Sequence, residues 1–179
     1  MSDLAAIAAE AATCTRCRLA PTRTQVVFGM GDPGADEDAA GLPFVARSGR
    51  LLDRLVAEEM GLTRADCYIT NTVKCRPPGN RDPKPDEMAT CRPWLDAQLR
   101  QLDPRVVVTL GNVASRALLE RTEGITRLRG RAYPWQGRTL IPTYHPSAAL
   151  RGTAGAMAGM RADLVRAKQA LAGALRGGR

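Results

Sequence analysis

Arg105-Val106-Val107-Val108-Thr109-Leu110-Gly111 decides the fold. The run is β-branched, apolar and too short for a helix, and the glycine that ends it opens helical sequence through Leu119. A buried strand that hands over directly to a helix is the repeating unit of an α/β protein. Working outward, Thr139-Leu140-Ile141 reads as another strand, and two more are expected at Gln25-Val26-Val27-Phe28 and Tyr68-Ile69-Thr70-Asn71-Thr72-Val73. Between them lie helical stretches. Ser2 and Asp3 cap an alanine-rich helix to about Ala12. Leu51, Leu52, Leu55, Val56 and Met60 share one face of a second helix that Gly61 closes. Helical sequence then runs from near Pro85 to about Leu102, with Pro93 marking a break or second start after Cys91. A closing helix is expected from about Gly155 to Leu175, followed by a flexible tail at residues 176–179. The alternation gives an α/β class, a three-layer α/β/α single domain around a central, mostly parallel four-stranded sheet.

At 179 residues the chain can bury a sizeable core without needing a metal in order to fold. Lys and Arg outnumber Asp and Glu by 26 to 18, a net charge of +8 that suits a nucleic-acid partner and equally suits simple solubility. No run of about 18 apolar residues occurs, so no membrane is expected. The N-terminus lacks the basic start and apolar core of a signal peptide, so the chain is expected in the cytoplasm. Five cysteines in a reducing compartment turn attention from disulfides to metal ligation.

In an open α/β sheet, ligands bind outside the carboxyl ends of the strands. Three polar segments follow strands here: the loop from Gly29 to about Gly41, the end of the second strand at Asn71, and His145. His145 is the single histidine, in Pro142-Thr143-Tyr144-His145-Pro146-Ser147, and is either a structural residue or a chemical one whose ordinary pKa lies near neutrality. Cys14 and Cys17 have Cys-x2-Cys spacing, and Cys75 and Cys91 stand in irregular surroundings beside Arg and Pro. Such a set fits a tetrahedral zinc or an iron-sulfur cluster, and spacing does not choose between them. Cys67 reads as a small core residue.

The strings from Gly34 to Val45, from Tyr68 to Arg81 and His145-Pro146-Ser147 together resemble the family 4, iron-sulfur uracil-DNA glycosylases, and the likeness extends over nearly the whole chain from Cys14. The resemblance implies a DNA-repair enzyme that flips uracil out of single- or double-stranded DNA and hydrolyses its N-glycosidic bond. It implies a [4Fe-4S] cluster on Cys14, Cys17, Cys75 and Cys91, and a monomer. It also implies that Phe44 stacks on the uracil ring, that Asn71 bonds its N3 and O4 edge, and that His145 contacts O2, with Met30, Gly31 and Asp36 lining the same pocket. The chemistry agrees with those roles. An aromatic platform accepts any base, whereas an oriented amide discriminates, because cytosine would leave buried donors and acceptors unmatched.

The first motif departs from the family's pattern, since Met30-Gly31-Asp32-Pro33-Gly34 has Gly31 where the family has Glu. Asp32 stands where the cluster-free uracil-DNA glycosylases carry a catalytic aspartate. Bond cleavage builds positive charge on the sugar and negative charge on uracil O2, so a carboxylate and a hydrogen-bond donor stabilise opposite ends of one transition state. Asp32 and His145 are therefore the expected catalytic pair, with Asp36 as a rival carboxylate. Gly34 also replaces the tyrosine that blocks the thymine methyl in the cluster-free enzymes, which opens the pocket to other deaminated bases.

DNA contacts are expected from Arg76 and Arg81 in the cysteine loop, from Arg129 and Arg131 in a basic segment, and from Ser147, Leu150 and Arg151 after the histidine, where a side chain can fill the gap left by a flipped nucleotide. Two rival readings are a non-catalytic iron-sulfur DNA-binding protein and a zinc-stabilised nucleotide-binding module.

Overall fold

A computed structural model of the chain describes residues 3–27 and 46–177, with only the backbone at positions 3 and 177. The chain divides into two compact units. One holds the described residues up to Gly49 together with Tyr68–Asp103; the other holds Arg50–Cys67 and the chain from Pro104 onward.

In the second unit, Val106–Leu110 forms β1, Tyr133–Trp135 forms β2 and Arg138–Thr143 forms β3. β1 and β3 pair in parallel with Leu110 opposite Thr143. Both carboxyl ends therefore reach the same sheet edge. Gly111 begins the Gly111–Leu119 helix directly from β1, as the opening string required. Leu140 and Ile141 are fully buried, and the Gly111–Leu119 and Ala156–Gly177 helices both pack on these strands. Leu51, Leu55, Met160 and Leu164 form a core cluster, which confirms the apolar face read around Leu51. That helix, Arg47–Leu55, loosens into a π-turn at Val56–Met60 and stops at Gly61, whose φ of 70° is the left-handed cap expected there.

The α/β class stands, but the expected four-stranded sheet is corrected among the described residues to three strands in the order β1-β3-β2. The strand not expected is β2, which runs antiparallel to β3. An edge strand tolerates Pro134, and Gln136 and Gly137, both at positive φ, supply the tight turn. Neither of the two N-terminal segments read as strands forms a ladder among the described residues. Their backbone groups have other partners. Val27 N donates to Lys74 O, Lys74 N donates to Cys91 Sγ, and Asn71 O accepts from Lys74 Nζ.

The first unit is built on Asp3–Ala12 and Pro85–Leu102, which pack together around Ala11, Leu19, Val73, Cys75, Cys91 and Trp94. The break expected at Pro93 does not occur, and the helix runs through it. Pro93 and Ala89, whose carbonyl loses its partner, are both outside the buried core, so water can satisfy that oxygen while Cys91, Trp94, Leu95, Gln98 and Leu99 hold the buried face. The closing helix extends to Gly177, so Arg176 and Gly177 are helical rather than part of a tail.

Candidate functional site

Asn71 lies in a segment whose polar side chains are buried. Asn71 is 3% exposed, and its Nδ2 has no hydrogen-bond partner among the described residues. Leaving a buried amide donor unmatched costs about 1–3 kcal/mol, so this donor suits an added acceptor. Beside it Lys74 is 2% exposed, and Nζ donates to Thr70 Oγ1 at 2.8 Å, Asn71 O at 2.7 Å and Gln98 Oε1 at 2.5 Å. Gln98, fully buried on the Pro85–Leu102 helix, also donates through Nε2 to Tyr68 Oη. Burial pulls the Lys74 pKa down to about 7. Neither Lys74 nor Gln98 was singled out from sequence. The only local signal was a lysine flanked by Val73 and Cys75 at the end of a strand-like stretch.

In the other unit, His145 caps the Pro146–Leu150 helix just beyond β3. Its Nδ1 accepts from the Ser147 backbone N–H at 3.2 Å and lies 2.8 Å from Ser147 Oγ. A backbone amide can only donate, so Nδ1 is an acceptor and the neutral ring carries its proton on Nε2. His145 is thereby set as a donor at Nε2. Gly111, at φ 82°, lies so close that a Cβ there would stand 3.0 Å from the His145 Cβ. Only glycine combines that backbone angle with that approach.

Cys14, Cys17, Cys75 and Cys91 line one cavity, together with Arg23 and Trp94. The two pairs, 58 residues or more apart in sequence by their numbers, thus come together as expected. Arg23 donates to Cys75 Sγ at 3.2 Å and to Cys14 O at 2.6 Å, and Lys74 N donates to Cys91 Sγ at 3.2 Å. Burial pushes the Cys75 thiol up against the opposing pull of Arg23, and pushes Cys91 up to about 11. Trp94 Nε1 is buried with no partner among the described residues, and Arg16 stacks over the indole at 4.5 Å. Among the described residues, no group of three or more His, Cys, Asp or Glu side chains is arranged to hold a single metal ion. Cys67 lies in the other unit and is half-buried rather than a core residue, its pKa raised by burial and then by Asp66 and Asp53.

The arginines expected on DNA divide into two kinds. Arg81 makes paired bonds of 2.8 and 2.7 Å to the buried Glu87, and Arg129 Nε bonds the fully buried Asp163 at 2.8 Å. Both guanidiniums are thus neutralised by carboxylates. Arg76 bonds Asn80 Oδ1, whereas Arg131 and Arg151 are exposed and Leu150 is 39% exposed. Ser147 is tied to the histidine ring. Met30, Gly31, Asp32, Asp36 and Phe44 lie outside the described residues.

The second unit thus carries a donor-set histidine at the carboxyl edge of its parallel β1/β3 pair, and the first unit carries a buried amide with no partner for its Nδ2 among the described residues. The chain belongs to the uracil DNA glycosylase superfamily, whose family model matches residues 18–171. Within that superfamily it is similar to the Type-4 uracil-DNA glycosylase of Sulfurisphaera tokodaii, at 40% identity over 169 residues covering 84% of this chain and 77% of the relative. The Type-4 enzyme of Thermotoga maritima is 44% identical over 151 residues, covering 77% of this chain and 78% of the relative. That of Archaeoglobus fulgidus is 40% identical over 170 residues and covers 84% of each.

Proposed function

We propose that the chain is a monofunctional uracil-DNA glycosylase of base-excision repair. The observation that carries this reading is the buried Asn71 amide, whose unmatched Nδ2–H suits the O4 of uracil. Its Oδ1 then accepts from N3–H, a pairing that cytosine reverses at both positions. Phe44 stacks on the base. His145 donates from Nε2 to O2 as negative charge develops there, a role the Ser147 amide prepares by fixing the tautomer. Asp32 orients the attacking water and stabilises the sugar cation, with Asp36 beside it and Met30 and Gly31 lining the pocket. The water adds to C1′, the C1′–N1 bond breaks, and uracil leaves with its charge held by the histidine.

Cys14, Cys17, Cys75 and Cys91 are the residues that would hold a [4Fe-4S] cluster. Four thiols round one cavity are enough to hold a polynuclear group, one thiol to each iron. Trp94, which lines that cavity and whose indole N–H has no partner among the described residues, is compatible with the same fit, since cluster sulfides are hydrogen-bond acceptors. When bound, the cluster would serve as a structural tie between the N-terminal segment, the loop at Cys75 and the long helix.

Arg131, Arg76 and Arg151 contact phosphates, and Leu150 enters the gap left by the flipped nucleotide. A monomer acting in the cytoplasm and a one-domain organisation belong to the same reading, the latter supported by a family match that runs through both units. Excision from uracil-containing oligonucleotides, single- and double-stranded, is the test for the reacting groups. His145→Ala and Asp32→Asn should both slow it, and Asp36→Asn should do so less. A wild-type rate in Asp32→Asn would pass the carboxylate role to another residue. For the cluster, broad absorbance near about 400 nm, absent from a zinc protein, is expected to fall in Cys75→Ala.

A further inference from the structure

Lys74 has almost no access to water, and its Nζ donates within 2.8 Å to three acceptors drawn from two elements, as many as an ammonium has protons. Two of them, Thr70 Oγ1 and Asn71 O, belong to the segment that carries the base-reading amide. The third, Gln98 Oε1, belongs to the Pro85–Leu102 helix, which is fixed in turn through Trp94, Leu95 and Leu99 in the core. Gln98 Oε1 also accepts from Thr70 Oγ1 at 2.9 Å, and its Nε2 donates to Tyr68 Oη at 2.9 Å. Among the described residues, the segment at 68–74 has no strand ladder to set its backbone. Something else must do so, because an amide discriminates uracil from cytosine only if it is held in one orientation.

We infer that Lys74, anchored on Gln98, is a positioning residue for base recognition that fixes the Asn71 main chain and so aims the Asn71 amide. The inference rests on the base-reading role of Asn71. A lysine in an apolar interior is expensive, and an alkyl side chain would fill the same space at no desolvation cost. The three bonds are what the charge supplies and an alkyl chain does not. A main-chain carbonyl held by a cation cannot rotate with its peptide plane, and the Asn71 Cα goes with it.

A double-mutant cycle tests this. Single-turnover excision of uracil from single-stranded DNA is measured for wild type, Lys74→Met, Asn71→Ala and the double variant, because the rate constant reports each folded molecule whereas misfolding lowers only the amplitude. Asn71→Ala should lose about a hundredfold or more. Lys74→Met should lose about tenfold in the Asn71 background and less than about twofold in the Asn71→Ala background, since it has nothing left to aim. An equal loss in both backgrounds, or none in either, overturns the inference while leaving Asn71 in its role. A wild-type rate for Asn71→Ala overturns the reading of Asn71 and the inference with it. If Lys74→Met does not fold, Gln98→Met removes the anchor while keeping the lysine. Its loss should again be confined to the Asn71 background, and a wild-type rate there overturns the inference.

Discussion

The backbone amide of Ser147 donates to Nδ1 of His145 at 3.2 Å, and this one bond fixes which ring nitrogen carries the proton. A ring held as the Nε2–H tautomer offers a neutral donor, which is sufficient against an oxygen that gains negative charge. His145→Ala should therefore slow excision by about a hundredfold or more. Ser147→Ala removes only the hydroxyl and keeps the amide, so its loss should stay below about tenfold. Single-turnover rates for the two variants check the ordering, and a larger loss in Ser147→Ala would show that the hydroxyl, not the amide, sets the ring.

Gly111 should be intolerant of any side chain. Its φ of 82° and the 3.0 Å that would separate an added methyl from the His145 Cβ act on the same variant. Gly111→Ala is expected to lose about 1–3 kcal/mol of stability from the backbone angle alone. It should also lose at least about tenfold in excision, because the displaced group is His145. Thermal unfolding alongside the rate measurement separates the two effects.

Arg129 and Arg131 are neighbours in sequence with different expected phenotypes. Arg129→Ala leaves Asp163 buried with one fewer partner and should destabilise by about 3 kcal/mol. Arg131 is exposed, so Arg131→Ala should leave unfolding unchanged and reduce the salt dependence of DNA binding by about one ion. Denaturant unfolding and binding titrations at several salt concentrations distinguish them.

Glu87 makes stability depend on acid. Hydrogen bonds from Arg81 hold its pKa down at about 2, against an ordinary value of 4.5. A depressed carboxylate pKa contributes stability that is complete above the unfolded value and is lost as pH falls through the folded one. The gap in unfolding temperature between wild type and Glu87→Gln should therefore be widest above pH 4.5 and close between 4.5 and about 2. A gap independent of pH would mean that the charge of Glu87 does not matter.

The parts of this molecule that obey local rules were legible in its sequence. The valine run and Gly111 marked β1 and its helix, Gly61 marked a cap, and Cys14, Cys17, Cys75 and Cys91 proved to share a cavity. What was missed depends on partners distant in sequence. The pairing of Arg129 with Asp163, 34 residues away, is one such case. The segment at 68–73 has strand composition but no ladder among the described residues, where Lys74 Nζ bonds the Asn71 carbonyl and Cys91 Sγ accepts from the Lys74 amide. Pro93 stayed within its helix because the carbonyl it orphans faces water.

The central claim is that a buried Asn71 amide reads uracil in DNA. Single-turnover excision from one uracil-containing strand, compared between wild type and Asn71→Ala with a cytosine strand as control, tests it most directly. The account predicts an abasic product from uracil alone, formed about a hundredfold or more slowly by the variant. No abasic product from the wild-type protein, or equal rates for the two proteins, would contradict it.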